Sequence, residues 1–141
     1  MIDRQRDYIV RLIEQFGQAL AEIAQLVREG KFDLALVAIQ HTTDLVIPPP
    51  MRELLDRLEA SSAVAILGPS ELDRVRMYAA LLGEQGGLHD LRGRAPEAAA
   101  CYRRSLELYV AAAGAGAELL AADHERIAVI QGRLAGGQDA G

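Results

Sequence analysis

Between Asp7 and Gly30 the chain repeats apolar residues at steps of three and four: Ile9, Leu12, Ile13, Phe16, Leu20, Ile23 and Val27. That period puts them on one side of a single long α-helix, a stripe that must be buried against something else. Asp7 supplies the acidic charge a helix start favours, and Gly30, after Arg28 and Glu29, supplies the stop. Gly17 interrupts the stripe at a cost of about 1 kcal/mol relative to alanine, so a close helix crossing is expected there.

The same period continues down the chain. Leu34, Ala35, Ala38, Ile39, Thr42, Leu45 and Val46 share a face of a second helix, which Pro48, Pro49 and Pro50 end and from which a short helix with Leu54, Leu55 and Leu58 restarts. SSAVAIL, at 61–67, is short and uniformly apolar, and its helical surroundings favour a helix over a strand. Ser70 and Asp73 predict a capping box for a helix carrying Leu72, Val75, Tyr78, Ala79, Leu82 and Gln85, with Gly86 and Gly87 loosening its end. Gly93 and Pro96 mark a turn into the face Ala98, Cys101, Tyr102, Ser105, Leu106 and Tyr109. A last amphipathic helix carries Leu119, Leu120, His124, Ile127 and Ile130, and residues 135–141 read as a flexible tail after a single domain over 1–134.

Composition agrees with an all-α fold of about five or six helices. With no Trp and few aromatics, the core must come from Leu, Ile, Val and Ala at close helix contacts. At 141 residues the chain is long enough to bury a real core without disulfides or metals. A net charge of −5 gives no global field to attract nucleic acid or anionic lipid. No apolar run approaches the roughly 20 residues of a membrane span, and the charged N-terminal stretch is unlike a signal peptide, so a cytoplasmic protein is expected.

An internal symmetry sharpens the architecture. A shift of 63 positions lays Gly30 on Gly93, Ala35 on Ala98, Ile39 on Tyr102, Thr42 on Ser105 and Leu45 on Leu108. The order glycine, small, bulky, small resembles the second half of a tetratricopeptide repeat, in which small residues let helices cross closely and the bulky one fills the gap. The match is looser upstream, with Leu82, Gly86 and His89 in the preceding helix, and a proline-rich insert interrupts the 34-residue period. The stretches RDYIVRLIEQFGQALAEI, LDRVRMYAALLGEQG and GRAPEAAACYRRSLELYVAA also resemble a family of uncharacterised bacterial helical proteins, a resemblance that implies fold and supplies no activity.

The chemistry-bearing residues form no catalytic or metal-binding pattern. Cys101 lies on a packing face, where a reactive thiolate would need a cation such as Arg104 beside it. His41, His89 and His124 fall on separate segments without metal-ligand spacing, and GAGAE at 114–118 lacks the preceding strand and following GK[ST] of a phosphate loop. Arg92, Arg94, Arg103 and Arg104 make the one basic cluster, with Asp90, Glu97 and Glu107 close enough in sequence to neutralise it.

The leading expectation is therefore a non-enzymatic protein–protein interaction module without cofactors, a homodimer through its first or last helix or a binder of a protein or peptide partner. Tyr78, Gln85, His89, Arg103 and Arg104 are the candidate interaction surface. A rival reading gathers Tyr78, Gln85, His89 and Tyr102 in a groove as a small-ligand site or enzyme. A third makes Arg103 and Arg104 a nucleic-acid contact of a regulator, against the acidic balance of the whole.

Overall fold

The structure, a computed structural model, describes residues 2–140, with side chains at 4 and 6–136. The periodicities become α1 (Ile2–Arg28), α2 (Phe32–Val46), α3 (Pro49–Arg57), α4 (Ala60–Leu67), α5 (Leu72–Leu91), α6 (Ala95–Gly114) and α7 (Ala121–Ala140), with one 3-10 turn at Pro69–Glu71. Among the described residues the fold is all-α, with seven α-helices where five or six are expected. The difference lies in the insert, where Leu58 and Glu59 are extended and split α3 from α4. Pro49 and Pro50 open α3, and the Glu59 carboxylate caps α4 by accepting from the Ser61 and Ser62 amides at 3.1 and 3.2 Å.

α5 is the axis of the molecule. It packs against α1, α2, α6 and α7, and residues 75–81 are all buried, so this helix has no solvent face over those two turns. α5 and α6 form the most extensive helix pair, antiparallel, with Ser105 Oγ donating to the Ala79 carbonyl at 2.6 Å and the Tyr102 ring against Gly86.

Three local expectations are corrected. Gly17 is exposed and a Cβ there would meet nothing within 4 Å; the close approaches are at Gly83, facing Ile130, and at Gly86. The Gly86–Gly87 pair does not loosen α5, which runs on to Leu91: the bare Gly86 admits the Tyr102 ring, and Gly87 lies beside the Arg133 guanidinium. Ser70 caps nothing: it sits in the 3-10 turn, and the Asp73 carboxylate turns to Arg76 at 2.6 Å instead. α7 is helical to Ala140, and the side chains of the expected tail from 137 onward lie outside the described residues.

The 63-residue symmetry has a structural counterpart in the turns. Gly30 and Gly93 have φ of 73° and 72°, the left-handed region glycine adopts without strain. The Lys31 amide donates to Leu26 O and the Arg94 amide to His89 O, both at 2.9 Å, while Gly30 and Gly93 donate to Val27 O and Asp90 O at 3.1 and 3.0 Å. The two helix ends thus share one Schellman-type closure, and the same offsets in the sequence produce the same backbone.

Candidate functional site

The two matched hairpins differ in what covers them. Ala35 and Ala98, Ile39 and Tyr102, Thr42 and Ser105 are buried in both. On α6 the adjacent face is also covered: Arg104 reaches across to α3, donating through Nε to Leu55 O at 3.0 Å and through Nη2 to Leu55 O and to Leu58 O, the latter at 2.6 Å, and α4 packs on the same helix. Leu108, one turn beyond Arg104, has no exposed surface. The equivalent positions on α2 are His41 and Leu45, and these are open. Leu45 is 53% exposed, and with Leu34 at 58% and Val37 at 61% it forms an apolar stripe at i, i+3 and i+11 along α2. Apolar surface in that arrangement on a helix is the mark of a contact face rather than of scattered exposure.

Arg104 is thereby explained as a cap. A guanidinium at the C-terminus of α3 satisfies carbonyls that the helix leaves without partners and meets the negative end of its dipole. It activates no thiol: Cys101 is half-buried, and burial pushes its thiol up, away from thiolate reactivity. Arg103 is exposed and lines a shallow cleft of about 270 Å³ between α6 and α7, together with Tyr102, Arg133 and Asp90. The expected basic cluster is dispersed, since Arg92 pairs with Asp33 at 3.0 Å and lies over the Phe32 ring.

Tyr78, Gln85 and His89 lie on one side of α5, spaced seven and four residues apart, but the hydroxyl groups of the proposed groove diverge. Tyr78 donates to Asp56 of α3, and burial, followed by that carboxylate, raises its pKa. Tyr102 donates to Asp90 at 2.7 Å and accepts from Arg133 at 2.8 Å, with burial the main cause of a pKa pushed up to about 12. His89 and Gln85 are half-buried, and His89 Nδ1 is sealed from solvent without a hydrogen-bond partner among the described residues.

Against models of known protein families, curated proteins and solved structures, the chain matches none. Its chemistry must be read from its own side chains. Among the described residues no three His, Cys, Asp or Glu side chains gather as a metal site, and no helix is long and apolar enough to cross a membrane.

Two polar features escape the sequence pattern. The first is a buried network joining α5 to the start of α7. Arg76, 6% exposed, donates to Asp123, 4% exposed, at 2.8 Å and to Asp73 at 2.6 Å. Asp123 also accepts from the Leu120 amide at 2.9 Å, reaching back one turn to close the helix start, and from Tyr109 at 3.4 Å. Burial alone works against the Arg76 charge, and the two carboxylates more than offset it, holding the guanidinium protonated. The second is a cleft of about 480 Å³ between α5, α7 and the end of α1, lined by Glu84, Arg28, Arg126 and Arg133 among others. Sequence spacing shows neither, because the partners are brought together only by the crossing of α5 and α7.

Proposed function

We propose that this chain is a non-enzymatic interaction module of a bacterial cytoplasm, built on two tetratricopeptide-like hairpins, and that the open α2 face pairs with a second copy of the chain. One observation carries the reading: Leu45 stands bare at the position where its symmetry mate Leu108 is wholly covered. The module thus presents a face whose counterpart already serves as a helix-docking surface inside the same molecule. The resemblance to uncharacterised bacterial helical proteins is compatible with this and adds no activity.

A second copy fits because the stripe is nearly symmetric about its own midpoint. Two α2 helices crossing antiparallel at a shallow angle would set Leu34 of one copy against Leu45 of the other, and Val37 against His41. A two-fold interface requires such self-complementarity, since each surface must serve as its own partner. The expected dimer uses the second helix, not the first or last.

The expected strength is modest. Covering about half of each of three aliphatic side chains contributes roughly 2–4 kcal/mol per copy, against an association cost of about 4 kcal/mol or more. The upper end, about 8 kcal/mol for two copies against about 4 kcal/mol, leaves about 4 kcal/mol, so dimerisation is expected at about 1 mM, a range that NMR diffusion measurements read directly. Val37→Asp should leave the chain monomeric and folded. A monomer at about 1 mM, or a dimer indifferent to Val37→Asp, would overturn the proposal.

A further inference from the structure

The cleft between α5 and α7 contains a carboxyl group with nothing to hold. Glu84 projects from the central helix and is half-buried, yet it makes no hydrogen bond or ion pair with any described residue. The other buried or half-buried charged side chains among the described residues each have a polar partner: Arg76 two carboxylates, Arg74 the Glu71 carboxylate at 3.2 Å, Arg104 the carbonyls of Leu55 and Leu58. Burial pushes Glu84 up, and this outweighs the opposite pull of Arg126, Arg133 and Arg28. Three guanidiniums therefore surround a carboxyl group that none of them reaches.

Each arginine is held by a neighbour and keeps donors to spare. Arg28 donates to Gln25 at 2.7 Å, Arg126 leans on Asp123 at 3.8 Å, and Arg133 gives one Nη1 bond to the Tyr102 hydroxyl. A guanidinium has five N–H groups, so most of this donor capacity is free. The rest of the wall is apolar, from Ala80, Gly83, Ala122, Val129 and Ile130, except for the exposed Glu125, a second carboxylate that likewise disfavours a simple anion.

This charge pattern selects its ligand. A simple anion fits the arginines but meets Glu84, and a simple cation fits Glu84 but meets three guanidiniums. A molecule carrying both an ammonium and a carboxylate satisfies both, and the cleft has ample room for one. We propose that the α5–α7 cleft binds a small zwitterion of the amino-acid class, with its ammonium on Glu84 and its carboxylate on Arg126 and Arg133. The site is separate from the α2 face, so it stands or falls independently of the dimer.

The test is a titration of the full chain with the free amino acids, read by amide resonances of Gly83, Glu84 and Ile130, up to about 10 mM. Butylamine and butyrate serve as the halves of the zwitterion. At least one amino acid is expected to shift these resonances saturably while neither half does, with Glu84→Gln weakening binding roughly tenfold to a hundredfold. Val129→Trp, at a position 51% exposed on the cleft wall, should block the site without touching the core. No saturable shift from any amino acid overturns the proposal. So does butyrate binding as well as the amino acid, with Glu84→Gln strengthening both, which would mark a plain anion site.

Discussion

Gly86→Ala adds one methyl group and should cost the protein about 2 kcal/mol, while the same change at Gly17 should stabilise it. A Cβ on Gly86 would lie 2.5 Å from Tyr102 Cε1 and 2.7 Å from Cδ1. The ring cannot retreat cheaply: it is 2% exposed, its hydroxyl is held between Asp90 and Arg133, and the Arg133 guanidinium lies over it at 5.7 Å. Overpacking of this kind costs about 1–3 kcal/mol, and disturbing a Tyr102 hydrogen bond adds about 1 kcal/mol, against a helix-propensity gain of about 1 kcal/mol. At Gly17 only the gain applies, since nothing lies within 4 Å. An unfolding entropy of about 2.1 cal/mol/K per residue makes each kcal/mol worth about 3 °C for this chain. Thermal and urea unfolding should thus separate the two alanines by roughly 9 °C, Gly86→Ala below wild type and Gly17→Ala above it. Replacing Tyr102 by Leu in the Gly86→Ala background should cost less than in wild type, because the clash is relieved. Equal shifts at the two glycines would refute the argument that Gly86 exists to admit the ring.

Asp123→Ala leaves Arg76 as a buried charge with one partner and opens the start of α7, so a loss of about 3–5 kcal/mol is expected in urea unfolding; a loss below about 1 kcal/mol would show that the network is not a tie between α5 and α7. Arg104→Met keeps the aliphatic stem but strips the carbonyls of Leu55 and Leu58 of their donors, for about 1–3 kcal/mol, whereas Arg103→Ala should stay within about 0.5 kcal/mol. Glu84 has its pKa raised in the folded chain, so the unfolded state binds fewer protons and stability falls as pH rises through the carboxylate range. Glu84→Gln should therefore be more stable than wild type at neutral pH, with the gap closing below the ordinary glutamate value of 4.5; a gap that widens in acid would contradict this sign.

The helices, the proline restart and the two glycine turns were legible in the sequence because each depends on residues a few positions apart. The 63-residue shift even located the pair of turns whose backbones agree, through Gly30 and Gly93. What escaped depends on helices crossing. Gly17 and Gly86 look alike in sequence, and only the arrival of Tyr102 distinguishes them. In sequence Arg104 groups with its neighbours Arg103 and Cys101, but its partners are carbonyls 46 and 49 residues away. The α2 stripe is hidden for the opposite reason: the periodicity puts Leu34 and Leu45 on the packing face with Ala35 and Ile39, and the difference between a covered and a bare leucine belongs to the insert that folds over α6.

The sealed position of α5 bears on how the chain comes apart. In a linear stack each unit leans only on its neighbours and can fray from either end. Here both hairpins share one central rod, so peeling away α1 and α2 strips the same helix that α6 and α7 need. The amides of 75–81 should exchange with solvent only through whole-molecule unfolding, all at one free energy, and no excised half of the chain should hold its shape alone.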